Sequence, residues 1–170
     1  MDDAIKRVTA GLQQAMRTET DGYHFYTMAA NAVQDPKGKE VFDRLAQDEL
    51  SHLRFLNRQY KSFTQHGKPD AKAQLGPRGE WAGDNPIFSE KIHKRLDEAH
   101  FEMSALSIGI QLELGSERFY RQEAEAAEDP AVKKFFTELA EWESGHYHAL
   151  LKQQESLKEE YWSKGGFAPF

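Results

Sequence analysis

Four glutamates and two histidines in this sequence have the types and spacing of metal ligands. Two of the glutamates each stand three residues before a histidine, a spacing that puts both side chains on one face of a helix. The six residues are Glu19, Glu49, His52, Glu113, Glu143 and His146. Carboxylate oxygen and imidazole nitrogen together suit iron or manganese, with zinc as a further substitute.

These residues belong to an internal repeat. Residues 19–56 align with residues 113–150 without a gap, and each candidate ligand of the first segment matches one in the second. The pairs Asp35-Pro36 and Asp129-Pro130 also match. An aspartate before a proline is typical of a helix start, with the aspartate as the N-cap and the proline in the first turn. Each half of the chain is therefore predicted to be a helical hairpin.

Four long helices must position the candidate ligands. We predict them at 3–34, 36–65, 98–128 and 130–162, and a short helix at about 86–96. Glycine and proline are concentrated between Gly67 and Pro86, which is typical of a connection between elements. The predicted fold class is all-α: a four-helix bundle made of two repeated hairpins with one long crossover.

The predicted bundle fills residues 1–162, and residues 163–170 form a tail. Its hairpins are 3–65 and 98–162, joined by a connection over 66–97. An extended stretch of about 20 residues reaches roughly 66 Å, whereas a helix of about 30 residues is roughly 45 Å long. The connection can therefore run from end to end of one bundle or reach a neighbouring chain. We expect a homodimer, and leave open whether its hairpins are swapped.

The candidate ligands lie on helical stripes that are otherwise apolar, and they lie at one height. Glu19 and Glu49 are both roughly 21–24 Å along the helix axis from the turn at Asp35, and the second half repeats this arrangement. Buried carboxylates that face one another repel and need compensating positive charge. The pattern predicts a site for two metal ions at mid-height of the bundle. By analogy with such sites, Glu49 and Glu143 are expected to bridge the two ions, and each histidine to bind one.

The repeated pattern resembles the ferritin-like superfamily, and within it the rubrerythrin branch, over about residues 1–162. The motifs that carry the resemblance are Glu19-x-x-Gly22-Tyr23-x-Phe25-Tyr26, Phe42-x-x-Leu45-Ala46-x-x-Glu49-x-x-His52 and their copies ending at Tyr120 and His146. The resemblance implies a ferritin-like fold and a non-haem centre of two iron ions that reacts with peroxide or dioxygen. It also implies that Tyr26 and Tyr120 lie just behind the ligands, although both residues are equally compatible with plain core packing.

The sequence departs from the family pattern in two respects. Rubrerythrins proper carry a rubredoxin-like domain with four cysteines, whereas this sequence has no cysteine, so we expect an external electron donor. They also carry a further glutamate ligand three residues after the glutamate of the third long helix. Here that position holds Ser116, and Glu117 is tilted away from the stripe.

The amino-acid composition argues against several other classes of function. The absence of cysteine excludes disulfides, thiolate catalysis and cysteine-bound zinc or iron–sulfur clusters. A net charge of -6 argues against nucleic acid as a partner. No apolar run is long enough to cross a membrane and no secretion signal is recognisable, so we expect no membrane partner and a cytoplasmic location.

Three functions remain open at this point. The first is an oxidoreductase that reduces hydrogen peroxide or dioxygen at two iron ions. The second is a ferroxidase or iron-storage protein, which would need a hollow shell of many subunits. The third is a non-catalytic sensor whose metal state alters contact with a partner.

Overall fold

Two helical hairpins make up the protein. The computed structural model describes residues 3–76, 87–94 and 99–164. Within these residues the helices are α1 (Asp3–Ala32), α2 (Pro36–His66), α3 (Glu90–Lys94), α4 (His100–Ala126) and α5 (Pro130–Lys164), and there is no strand. The four long helices agree with the predicted ones to within two residues at each end. The predicted all-α, ferritin-like four-helix bundle is thus confirmed.

The two Asp-Pro pairs start helices as predicted. Oδ1 of Asp35 accepts a hydrogen bond from the backbone N–H of Gly38 at 2.9 Å, at the start of α2. Oδ1 of Asp129 accepts one from the N–H of Ala131 at 2.7 Å, at the start of α5. These caps satisfy backbone donors that have no partner inside the helix. At its other end α2 stops at Gly67, whose φ of 67° is left-handed and whose N–H reaches the carbonyl of Phe63 at 3.0 Å.

The hairpins are joined by one long crossover. Tyr26 and Glu19 of α1 contact Glu113 and Tyr120 of α4, respectively, so α1 and α4 are antiparallel. Since each hairpin is also antiparallel, α2 and α4 run in the same direction, and the chain must return along the bundle between them. The chain is back at the α1–α2 turn at Ser89, whose backbone N–H donates to Oδ1 of Asp35 at 3.1 Å.

Among the described residues, helix α3 starts later than the predicted 86–96. It begins at Glu90, because Ile87 and Phe88 lie in bends that pack on the bundle end. The N–H of Ile87 donates to Oε1 of Gln153 on α5, so the backbone here is hydrogen-bonded to another helix. The predicted connection over 77–86 and 95–97 and the predicted irregular tail over 165–170 lie outside the described residues.

Two apolar clusters pack above and below the middle of the bundle. One contains Tyr26 and Phe42 near the α1–α2 turn, and the other contains Tyr120 and Phe136 near the α4–α5 turn. The repeat is visible in these rings, because the Tyr26–Phe42 and Tyr120–Phe136 centroids are stacked 6.2 and 6.1 Å apart. Between the clusters lies a layer of buried polar side chains. No described helix is both long and apolar enough to cross a membrane.

Candidate metal centre

The layer between the two apolar clusters consists of the sequence-predicted ligands. All six are buried, and the most exposed of them, Glu49, shows 3% of its surface. They are Glu19 on α1, Glu49 and His52 on α2, Glu113 on α4, and Glu143 and His146 on α5. The structure therefore brings together every residue that the repeat singled out, with each long helix contributing at least one.

The six side chains form two overlapping groups. Glu19 and His52 combine with Glu49 and Glu143 in one group, and Glu113 and His146 combine with the same two glutamates in the other. In each group, one potential ligand atom from every residue lies within 4.8 Å of the others. Sharing Glu49 and Glu143 between both groups is the arrangement expected of carboxylates that bridge two ions.

The histidines turn the same nitrogen towards the centre. Nδ1 of His52 lies 3.2 Å from Oε2 of Glu19 and 3.1 Å from Oε1 of Glu143. Nδ1 of His146 lies 3.4 Å from Oε2 of Glu113 and 3.6 Å from Oε1 of Glu49. Each histidine thus contacts one glutamate of its own hairpin and another on a facing helix. These oxygen and nitrogen atoms converge as the ligands of a cation do.

Several buried oxygens of the centre lack a hydrogen-bond partner among the described residues. They are Oε1 of Glu49, Oε2 of Glu113 and Oε1 of Glu143. A buried carboxylate oxygen without a partner is costly, and positive charge would offset that cost. The donor set of four carboxylates and two imidazoles fits two cations that prefer oxygen with some nitrogen, of which iron and manganese are examples.

The electrostatics of the layer divide its acids into two kinds. Burial and the charges of the other glutamates raise the pKa of Glu49 and of Glu143 well above the ordinary value of 4.5. Burial acts in the same direction on Glu19 and Glu113, but their contacts with His52 and His146 outweigh it and lower both pKa values. The two carboxylates shared between the groups are therefore the two whose charged form is most disfavoured when no cation is present.

The pKa of His146 is also shifted by the acids around it. Burial disfavours its charged form, but the charge of Glu113 and the hydrogen bond to Asp48 outweigh burial and raise the pKa of His146 from 6.5 to about 10. A protonated imidazole cannot bind a metal, so a cation at this position must displace that proton.

Two tyrosines form hydrogen bonds with the outer glutamates of the layer, Glu19 and Glu113. The hydroxyl of Tyr26 donates to Oε1 of Glu113, and that of Tyr120 donates to Oε1 of Glu19. Each bond crosses from one hairpin to the other and leaves the second oxygen of the glutamate facing a histidine. Burial and the neighbouring carboxylate raise the pKa of both tyrosines well above 10.0, so the hydroxyls stay protonated as donors. Both tyrosines also pack in the apolar clusters, so the two roles coexist.

A cavity of about 360 Å³ opens onto the layer between α1 and α4. It is lined by Glu49, Glu113 and Glu143 at its inner end and by Gly22 and Ser116 beside them. Gly22 and Ser116 occupy matching positions of the repeat, and both are small. A Cβ atom at Gly22 would lie 3.2 Å from Oε2 of Glu49, so glycine allows α1 to approach this carboxylate closely.

The position of the further family ligand faces this cavity but supplies no carboxylate. The hydroxyl of Ser116 donates to the carbonyl of Leu112 at 3.1 Å, within its own helix. Glu117 pairs with Arg121 of its own helix, at 2.7 Å. The expectation that Glu117 does not replace the missing ligand agrees with this geometry.

Two residues next to the ligands were not predicted to contact the histidines. Oδ2 of Asp48 lies 3.2 Å from Nε2 of His146, and the ring of Trp142 packs edge-on against His52 with centroids 5.1 Å apart. Each directly precedes a glutamate shared by both groups, Glu49 or Glu143. Their matched places in the repeat, one acidic and one aromatic, are the signal that could have drawn attention to them.

A family comparison agrees with this site. The family model described as Rubrerythrin matches residues 11–154, which include all of α2 and α4, part of α1 and α5, and all six candidate ligands. The chain belongs to the rubrerythrin family. No curated protein and no solved structure matched the chain. Membership in this family, together with the buried glutamate and histidine groups, supports a metal centre at mid-height of the bundle.

Proposed function

We propose that this chain is a non-haem di-iron oxidoreductase that reduces hydrogen peroxide or dioxygen with electrons from an external donor. One observation carries the proposal: two groups of buried ligand atoms share Glu49 and Glu143, and a cavity leads to them from the surface. Glu19 and His52 would hold one ion, Glu113 and His146 the other, and the shared glutamates would bind both.

The tyrosines prepare the outer carboxylates for this role. Because Tyr26 occupies one oxygen of Glu113 and Tyr120 occupies one oxygen of Glu19, a single oxygen of each remains directed at the centre. The hydrogen bonds fix the carboxylates before any ion arrives and so reduce the ordering cost of binding.

The cavity explains how a small oxidant would reach the centre. Its lining includes neither histidine, and Gly22 and Ser116 beside the glutamates contribute almost no bulk. Two iron(II) ions held by the six ligands would each supply one electron. These two electrons, with two protons, convert one hydrogen peroxide into two molecules of water. The bundle provides buried carboxylates, exclusion of bulk water and an open approach.

The test begins with metal-free protein loaded with iron(II) without oxygen. We expect two iron ions per chain by elemental analysis, and rapid oxidation when hydrogen peroxide or dioxygen is mixed in a stopped-flow spectrometer. With a chemical reductant present, peroxide should be consumed over many cycles. Glu49→Ala and Glu143→Ala should each lower the iron content to well under two per chain, whereas Glu117→Ala, whose side chain pairs with Arg121, is the matched control.

Two outcomes would contradict the proposal. Iron(II) that binds in the expected amount but is oxidised no faster than free iron(II) would exclude an oxidoreductase centre. Large particles that retain many iron ions per chain without continued peroxide consumption would favour storage instead.

A further inference from the structure

The two histidines of the centre differ in what lies behind them. Nε2 of His146 is 3.2 Å from Oδ2 of Asp48, so its ring N–H can donate to a carboxylate. Nε2 of His52 is buried and has no hydrogen-bond partner among the described residues. The ring of His52 packs edge-on against the indole ring of Trp142, with centroids 5.1 Å apart.

This difference is a break in the internal repeat. Asp48 and Trp142 occupy matching positions, directly before Glu49 and Glu143. Asp48 contacts the histidine of the other hairpin, His146, through a polar atom, whereas Trp142 packs edge-on against the other hairpin's His52 at 5.1 Å and against its own hairpin's His146 at 6.0 Å. Where one half offers a carboxylate, the other offers an apolar ring. Trp142 is buried, with 7% of its surface exposed, while the side chain of Asp48 is 20% exposed.

A carboxylate behind a histidine changes the histidine as a ligand. It fixes the ring orientation, holds the proton on the outer nitrogen so that the inner nitrogen is free to bind, and increases the basicity of that nitrogen. For His146 the inner nitrogen is Nδ1, which faces Glu49 and Glu113. His52 turns the same nitrogen inwards without such support.

We propose that Asp48 is a positioning residue that makes the two metal positions unequal, so that the position of Glu113 and His146 fills before the position of Glu19 and His52. This inference rests on the proposed metal centre and adds an order of occupation to it. Loss of a partner of this kind lowers metal affinity by about 10–100-fold. The effect of Asp48 should be confined to one of the two positions.

Cobalt(II) is a suitable probe, because its visible spectrum and its heat of binding can both be followed. We expect metal-free protein to bind it in two steps of one ion each. Asp48→Ala should weaken the first step by about 10–100-fold and leave the second nearly unchanged. Asp48→Asn keeps the shape and can still accept a hydrogen bond, so it should weaken the first step less. Asp43→Ala is the control, since Asp43 is an exposed acid of α2 paired with Lys39 at 3.2 Å.

A double-mutant cycle separates positioning from a general structural effect. His146→Ala should remove the tighter step, and adding Asp48→Ala to it should change nothing further. His52→Ala should leave the tighter step and its dependence on Asp48 intact. Thermal unfolding of each metal-free variant verifies that it is folded before titration.

The results also distinguish this inference from the proposed function. Two equal steps in the native protein, or an equal loss at both steps in Asp48→Ala, would overturn the inference even if peroxide is reduced. Unequal steps that depend on Asp48, in a protein that oxidises no bound iron, would support the inference while the proposed reaction fails.

Discussion

The hydroxyl of Tyr26, on α1, donates a hydrogen bond to Oε1 of Glu113, on α4. The contact joins the two hairpins at the level of the candidate metal centre. Its counterpart joins Tyr120 to Glu19, so the pair of bonds follows the internal repeat. Both glutamates are buried, and a buried carboxylate that loses a donor bears an unmet desolvation cost.

The first prediction follows from this contact. Tyr26→Phe and Tyr120→Phe should each lower the free energy of unfolding of the metal-free protein by about 1–3 kcal/mol. Urea unfolding measures the change. The control is Tyr60→Phe, because the hydroxyl of Tyr60 accepts only an exposed bond, from Gln13 at 3.0 Å, and should change stability by less than about 0.5 kcal/mol. Equal losses in all three variants would show that the buried bonds to the glutamates stabilise the fold no more than the exposed bond of Tyr60 does.

A second prediction concerns metal removal. Cations that bind the folded centre and not the unfolded chain stabilise the fold, by about 2.7 kcal/mol at a hundredfold excess over Kd. For a domain of this size this corresponds to a rise in Tm of roughly 5–10 °C. Thermal unfolding with iron(II) or with chelator, both without oxygen, gives the measurement. Identical Tm values for protein verified as loaded and as metal-free would argue against a buried cation site.

The third prediction is the pH dependence of the metal-free protein. Glu49 and Glu143 have raised pKa values in the fold, so above about pH 4.5 the folded state binds more protons than the unfolded state. The free energy of unfolding then falls as pH rises. His146 contributes the same sign between 6.5 and about 10. Below about pH 4.5 the lowered pKa values of Glu19 and Glu113 reverse the sign, and stability is lost as pH falls.

Maximum stability without metal is therefore expected near pH 5, with a decline towards pH 9. Urea unfolding in chelator at several pH values tests this, and His146→Gln should flatten the decline above about pH 6.5. In contrast, the stabilisation given by metal should grow with pH, because the cation competes with protons for its ligands. A metal-free protein that gains stability from pH 5 to 9 would contradict the raised pKa values.

The fourth prediction concerns the missing carboxylate. Ser116 lines the cavity one helical turn from Glu113, so Ser116→Glu should place a carboxylate beside the centre without filling the core. We expect faster single-turnover oxidation of the iron(II)-loaded protein by hydrogen peroxide, or an altered preference between peroxide and dioxygen. Ser104→Glu, at an exposed position of α4, is the control. Unchanged rates in a Ser116→Glu variant with normal iron content would show that this position does not act on the oxidant.

The sequence by itself determined the relationships that lie within one helix or one turn. Glu49 and His52 had to share a face because three residues make nearly one turn, and Glu19 had to be level with Glu49 because both are similarly far from the capped turn at Asp35. The repeat carried the same reasoning to the second half, so the helices and the six clustered residues could be predicted without coordinates.

Tertiary structure decided which side chains meet across helices. Spacing placed Tyr26 two turns after Glu19, but only the antiparallel contact of α1 and α4 directs its hydroxyl to Glu113 of the other hairpin. Packing also set Asp48 behind His146 and opened the cavity between α1 and α4. A sequence pattern has the period of one helix, whereas these contacts depend on the rotation and separation of two helices, which the packing of the whole core fixes.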